Sequence, residues 1–229
     1  MEKIAVAIGG GDIFGWNFKT KDDKTFEYNL RKVDEYIRNL SKKETPKLLF
    51  IGTASKENPY YFNAIKNIYE NLGCICANLN IINNENKDEI YSKVIDTDII
   101  YIGGGNTKYM LSEWERVDFK KAILDAYNKG IIIAGYSAGA YALFNSNYEN
   151  IDGFNIIDAI SIVHFNEKTI EKKNMFLDKI KNAKKLGIAL DNSVALVYKD
   201  SKMSIVKDVE DAKGYKYTYI NDNIEKEEI

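Results

Sequence analysis

The stretch Ile131-Ile132-Ile133-Ala134-Gly135-Tyr136-Ser137-Ala138-Gly139-Ala140-Tyr141-Ala142-Leu143-Phe144 decides how the rest of the chain is read. Its first four residues form a short apolar run closed off by Gly130 and Gly135, which suits a strand covered on both faces. Residues 140–144 favour helix. Between the two lies a Gly-x-Ser-x-Gly pattern, residues 135–139. A strand, a sharp turn and a helix in that order hold a serine in a strained backbone with its Oγ exposed, and the flanking glycines let helix and neighbouring strand approach. The helix N-terminus favours negative charge developing beside Ser137. The same residues also fit a tight glycine turn whose serine caps the helix. The strand–turn–helix setting favours the nucleophile, so Ser137 is the first candidate catalytic residue.

Working outward, short apolar runs alternate with helical spacing through the first 150 residues. Residues 4–8 form a strand ending in Gly9-Gly10-Gly11, and apolar residues at 26, 30, 33, 37 and 40 mark a helix over 26–40. Strand 47–51 follows Pro46. A helix opens at Pro59, where proline suits a first helical position, and runs to about residue 72 before Gly73. Then come strand 75–82, helix 87–95 and strand 98–102, which ends in Gly103-Gly104-Gly105-Asn106-Thr107. Helices to about residue 115 and over 119–128 lead to the fifth strand, 131–134. Continuous apolar strands separated by helices predict an α/β fold: a mostly parallel sheet with helices on both faces. Beyond residue 150 the spacing predicts strand 160–163, a lysine-rich helix over 167–182, and strands 186–190, 194–198, 203–206 and 215–220. These late strands read as an antiparallel extension, a meander added to the parallel sheet. The acidic residues 224–229 read as a frayed end. Nothing in composition marks a linker, so residues 1–229 are expected to form a single domain.

Composition limits the function classes. Apolar residues make up 45% and charged residues 29%, the balance of an ordinary globular chain, and the net charge of −2 argues against nucleic acid. No apolar run reaches membrane-spanning length, and the N-terminus has no signal-peptide pattern, so a cytoplasmic location and no membrane partner are expected. Cys74 and Cys76, two apart on one face of an extended segment, read as core thiols in a reducing compartment.

Two features strengthen the reading of Ser137. The glycine triplet 103–105 also ends a strand before a helix, and adjacent parallel strands would bring both turns to one sheet edge, where sites form in such folds. An N–H of that triplet could join the N–H of Ala138 to hold an oxyanion. A phosphate-binding loop is the other reading, but the spacing of a dinucleotide fingerprint and the lysine of a P-loop are both missing. The second feature is His164, the only histidine in the chain and placed at a strand end. A serine needs a base that titrates near neutrality, and imidazole is the usual one. A third group should orient that imidazole. Asp152 and Asp158 lie between Ser137 and His164, and Asp191 and Asn192 follow strand 186–190. A histidine so soon after the serine does not fit the usual α/β-hydrolase order of serine, acid, then late histidine.

The pieces Ile102-Gly103-Gly104-Gly105-Asn106-Thr107, Gly135-Tyr136-Ser137-Ala138-Gly139-Ala140, Val163-His164-Phe165 and Leu186-Gly187-Ile188-Ala189-Leu190-Asp191 fall in a characteristic order. In them the chain resembles the peptidase family of dipeptidase E (aspartyl dipeptidase) and cyanophycinase, which has a flavodoxin-like fold of the class I glutamine-amidotransferase type. The resemblance implies Ser137 as nucleophile, His164 as general base, and Gly105 and Ala138 as oxyanion-hole donors. The family's third triad member is usually a glutamate in a segment like Leu-Pro-Glu or Leu-Asp-Glu. The matching position here is Asn192, with Asp191 just before it, and either of the two is a candidate partner for His164. Asn106 and Lys172 are the candidate substrate contacts. Dipeptidase E selects an N-terminal aspartate with basic residues after its histidine. Here residues 166–173 hold lysines and no arginine, and a lysine does not replace an arginine fork.

The resulting expectation is a cytoplasmic serine peptidase that cleaves dipeptides or short peptides through an acyl-enzyme, with small peptides as partners and no metal or organic cofactor. The oligomeric state is left open. The alternatives are an amidotransferase-like binding module that has lost catalysis, and an acyl hydrolase that is not a peptidase.

Overall fold

The computed structural model describes residues 1–13 and 28–229. In chain order its elements are β1 (Ile4–Ile8), α1 (Arg31–Leu40), β2 (Lys47–Ile51), α2 (Pro59–Asn71), β3 (Ile75–Asn78), α3 (Lys87–Ile95), β4 (Ile99–Ile102), α4 (Thr107–Arg116), α5 (Phe119–Asn128), β5 (Ile132–Tyr136), α6 (Ala138–Leu143), β6 (Phe144–Asn147), β7 (Ile157–Val163), α7 (Ile170–Ala183), β8 (Gly187–Leu190), β9 (Val194–Lys199), β10 (Lys202–Lys207), β11 (Gly214–Ile220) and β12 (Asn223–Glu228).

The described strands form two sheets. The first runs β10-β9-β1-β5-β4-β2-β3 and the second β12-β11-β8-β7-β6. In the first, β3, β2, β4, β5 and β1 are mutually parallel. Side-chain alternation along β1 then divides the core. Ile4, Val6 and Ile8 join α1 and α2 on one face, while Ala5 and Ala7 face the layer that holds α3, α4, α5 and α6. The two small alanines suit the close packing of α6 on β1. The fold is therefore the mostly parallel α/β arrangement expected from the apolar runs.

The late strands do not make one meander. β9 and β10 extend the first sheet, with β9 antiparallel to β1, whereas β11 and β12 extend the second through β8. Residues 191–193 carry the chain between sheets, with Ser193 at φ 62°. Periodicity identifies a strand but not the edge it pairs with. The second sheet also holds β6, whose first residue, Phe144, the sequence reads as the end of a helix. β6, β7 and β8 are parallel, and their last registered pair, Val163 with Leu190, sets the residues that follow β7 beside those that follow β8.

Local capping explains most boundary differences. Asn58, Asn86, Asn106 and Thr169 each accept a backbone N–H at the start of α2, α3, α4 and α7. The Thr169 cap starts α7 at Ile170 rather than at 167 and leaves Phe165–Glu167 as a 3-10 turn. Strand 75–82 ends at Asn78, because the Glu57 carboxylate takes the N–H groups of both Ile81 and Ile82. Residues 223–228 are not frayed. They pair with β11, and the Lys226 ammonium sits 3.6 Å from the Tyr215 ring centre. The two thiols are free, and burial pushes Cys74 up to about 11 and Cys76 to about 12, so both stay protonated.

Helix 26–40 begins only at Arg31; its expected start at residues 26 and 27 lies outside the described residues. Leu30 offers no side-chain cap, and the Asp208 carboxylate beyond β10 takes its place. It accepts from Lys32 N at 2.7 Å and Val33 N at 3.0 Å. Asp208→Ala is expected to lower stability by about 1 kcal/mol, the usual worth of an N-cap acceptor reinforced by the helix dipole. Urea unfolding checks this, with an unchanged midpoint as the contrary result.

Candidate active site

β1, β4 and β5 are neighbours in one parallel sheet, so their glycine-rich ends, 9–11, 103–105 and 135–139, open at the same edge. Ser137 follows β5 with φ 52° and ψ −105°, a conformation that costs a non-glycine residue on the order of 1–3 kcal/mol. Two glycines permit it. A Cβ on Gly135 would lie 2.3 Å from the Gly139 oxygen, and one on Gly139 would lie 2.3 Å from the Ile102 oxygen. The Ser137 N–H donates to the Ile8 carbonyl at 3.0 Å, which ties the turn to the end of β1.

His164 follows β7 at φ 52° and Asn192 follows β8, so two adjacent parallel strands deliver both side chains. Ser137 Oγ lies 2.8 Å from His164 Nε2, and Asn192 Oδ1 lies 2.6 Å from His164 Nδ1. Of the two candidates left open after strand 186–190, Asn192 is the one on the imidazole. Asp191 is buried and turned away. Its carboxylate accepts from Lys213 N at 3.0 Å, and its own N–H donates to the Lys213 carbonyl. Asp158 is also elsewhere, paired with Lys185 at 2.5 Å on the surface. Burial holds the imidazole pKa below its ordinary 6.5, opposed by the Asn192 hydrogen bond, and the nearby Lys168 ammonium lowers it further. His164 is therefore neutral at pH 7. With Asn192 Oδ1 accepting from Nδ1–H, its Nε2 lone pair is free to take the Ser137 proton.

Of the triplet 103–105, two N–H groups are already used. Gly103 donates to the Ile51 carbonyl at 3.0 Å and Gly104 to the Tyr61 hydroxyl at 3.0 Å. Gly105 is exposed at φ 141°, and no hydrogen bond within the described residues uses its N–H. A Cβ on Gly104 would lie 3.2 Å from the Ser137 Cβ, which sets the triplet directly against the elbow. The Ala138 N–H opens α6. That helix has only six residues, so the N–H itself matters more than any dipole.

The two expected substrate contacts fare less well. Asn106 spends its side-chain oxygen capping α4, at 3.0 Å from Tyr109 N. Lys172 lies exposed on α7, while Lys168 is half-buried and close enough to act on His164.

The sequence reading missed Gly10 and Glu167. Gly10 has φ 144°, and a Cβ there would lie 2.2 Å from Asn192 Oδ1 and 2.3 Å from the His164 ring. The signal was present in Gly9-Gly10-Gly11 but reads only as a strand end. Glu167, expected on a solvated helix, sits in the 3-10 turn and accepts from Asn192 Nδ2 at 2.5 Å.

A mostly parallel sheet with an elbow serine at its carboxyl edge, met by a histidine that follows a strand of the second sheet, places the protein among α/β folds of the peptidase E type. The chain belongs to peptidase family S51, whose family model matches residues 23–206. It is 32% identical over 151 residues to the uncharacterized peptidase YgaJ of Bacillus subtilis, a match over 66% of this chain and 60% of that protein. It is 29% identical over 187 residues to the uncharacterized peptidase Lin0382 of Listeria innocua, covering 74% of this chain and 87% of the relative. The fold matches the crystal structure of a peptidase from an acI-B1 Actinobacterium with a TM-score of 0.75 at 20% identity, over 100% of this chain and 98% of the other. That likeness shows the fold. Among the described residues no helix is long and apolar enough to cross a membrane.

Gly10→Ala is expected to force the imidazole away from Ser137 and Asn192 and to destabilise the chain by about 1–3 kcal/mol through overpacking and backbone strain. Because the chain has one histidine, its two ¹⁵N resonances report the displacement directly. Unmoved resonances would contradict the crowding.

Proposed function

We propose that this chain is a serine peptidase that hydrolyses dipeptides or short peptides through an acyl-enzyme formed on Ser137. The observation that carries the reading is the line Ser137 Oγ, His164 Nε2, His164 Nδ1, Asn192 Oδ1, with contacts of 2.8 and 2.6 Å. Membership of peptidase family S51 supports it, and the resemblance to dipeptidase E supports the short substrate.

Ser137 Oγ attacks the carbonyl carbon of the scissile peptide bond as its proton passes to His164 Nε2. The oxyanion that forms is held by the N–H groups of Gly105, which no hydrogen bond among the described residues uses, and Ala138, which opens α6. Collapse breaks the C–N bond, and the imidazolium returns the proton to the leaving amine. Water then gives its proton to His164 and attacks the acyl ester, releasing the acid and regenerating Ser137. Asn192 keeps Nδ1 protonated throughout, so Nε2 is the nitrogen that cycles.

Ser137→Ala is expected to abolish turnover of a dipeptide panel and labelling by a fluorophosphonate. Equal turnover in the variant and the wild type would sink the nucleophile. Absence of labelling in a folded wild type that still binds small peptides would favour the binding-module reading instead.

The pH profile has a defined sign. The active form holds neutral His164, so kcat/KM falls as pH drops through the imidazole pKa. Because burial lowers that pKa, the acid limb is expected below the ordinary 6.5. A midpoint above 6.5 would contradict the assignment of the base.

A further inference from the structure

The proposed mechanism creates a cation at His164, yet the group on its Nδ1 is a neutral amide. Resting on the Ser137–His164 reading above, we propose that Glu167 acts through Asn192 as the positioning residue that fixes the imidazole tautomer and supplies the balancing charge.

The geometry runs inward from Glu167. Its Oε1 accepts from Asn192 Nδ2 at 2.5 Å, and its Oε2 lies 4.0 Å from His164 Nδ1. A carboxylate only accepts, so the Asn192 amide must turn its NH₂ toward Glu167. The amide oxygen then faces His164 at 2.6 Å, and an oxygen that only accepts requires the proton on Nδ1. That leaves the Nε2 lone pair toward Ser137 Oγ, the tautomer the mechanism needs. Without Glu167 the amide can turn over, present its NH₂ to Nδ1 and hold the opposite tautomer, in which Nε2 carries a proton and cannot act as base. The side chain that decides the matter is thus two hydrogen bonds from the imidazole and three from the nucleophile.

The surroundings hold Glu167 in place. The Asn166 Oδ1 accepts from Asn192 N at 2.9 Å, clamping the 3-10 turn to the end of β8. Phe165 in the same turn is buried against Tyr215 and Tyr217 of β11, with the Lys173 ammonium 4.5 Å from its ring centre. The charges around the pair are mixed. Lys168 opposes a cation on His164, while Asp12, beyond the end of β1, has its carboxyl raised by burial and by Glu167. The Tyr136 hydroxyl lies within range of both carboxylates and donates to the Gly11 carbonyl at 2.5 Å. The Glu167 side chain is 63% exposed, so water screens its charge, and orientation of the amide is the larger part of its effect.

The single histidine gives a readout separate from catalysis. In tag-free protein labelled with ¹⁵N-histidine, the wild type is expected to show the Nδ1–H tautomer. Glu167→Gln keeps an acceptor but loses the charge. It should retain that tautomer and lower the imidazole pKa by about 0.5. Glu167→Ala should mix the tautomers and slow fluorophosphonate labelling of Ser137 by roughly tenfold, the worth of one charge-assisted hydrogen bond. The double variant Asn192→Asp with Glu167→Gln moves the carboxylate next to the imidazole and the amide behind it. It should raise the pKa above the wild type and bring labelling back to within about threefold of the wild-type rate. Tautomer, pKa and labelling rate all unchanged in both single variants would overturn the role of Glu167. A wild type that does not label, but whose tautomer still responds to Glu167→Ala, would overturn the nucleophile and leave the Glu167 contact standing.

Discussion

Three successive carbonyls at the end of β1 hold the site together. The Ile8 oxygen accepts from Ser137 N, the Gly9 oxygen from His164 N and the Gly10 oxygen from Ser193 N, at 3.0, 2.9 and 2.8 Å. Each donor is, or directly follows, a residue of the serine–histidine–asparagine line. One short length of chain thus gauges the separation of groups from two different sheets. Each bond contributes only about 1 kcal/mol net, but together they fix positions, and a line of 2.6–2.8 Å contacts tolerates little error.

That constraint explains the glycines. A backbone used as a template from several sides at once has no room for side chains. At Gly9 a Cβ would lie 2.2 Å from the Asp191 oxygen, and at Gly10 it would meet the imidazole itself. The seam between the sheets runs through these residues, since Gly9 N donates to the Val194 carbonyl of β9 in the first sheet at 2.8 Å while its carbonyl accepts from His164 N, which follows β7 of the second. The candidate catalytic residues sit on the seam in unfavourable backbone conformations, Ser137 and His164 both at φ 52°, and the surrounding sheets hold them there.

Much of this was legible beforehand, for an identifiable reason. β1, β2, β4 and β5 are short apolar runs closed by glycine or turn residues, and a strand buried on both faces has no other way to look. Ser137 could be named because it sits in a Gly-x-Ser-x-Gly turn between strand and helix, and His164 because it is the only histidine in the sequence. The partner of that histidine was not separable from its neighbour. Asp191 and Asn192 are adjacent, and the charged one is the more obvious choice, but consecutive residues at a strand end point to opposite sides. Asp191 faces Lys213 and Asn192 faces the imidazole. Glu167 was hidden for a different reason. Among so many lysines and glutamates it looks like a solvated helix face, and only the cap at Thr169, which starts α7 later, frees it to turn toward Asn192.

By itself the sequence determined the class of the fold, the strand–turn–helix that displays Ser137, and the identity of the only available imidazole, because hydrophobic period, glycine placement and side-chain chemistry are local properties. The tertiary structure decided how the late strands divide between two sheets, which side chain lies on His164 Nδ1 and that Glu167 turns toward Asn192. Those choices depend on pairing between distant edges and on which way a side chain turns at the end of a strand, and neither leaves a mark in the local pattern.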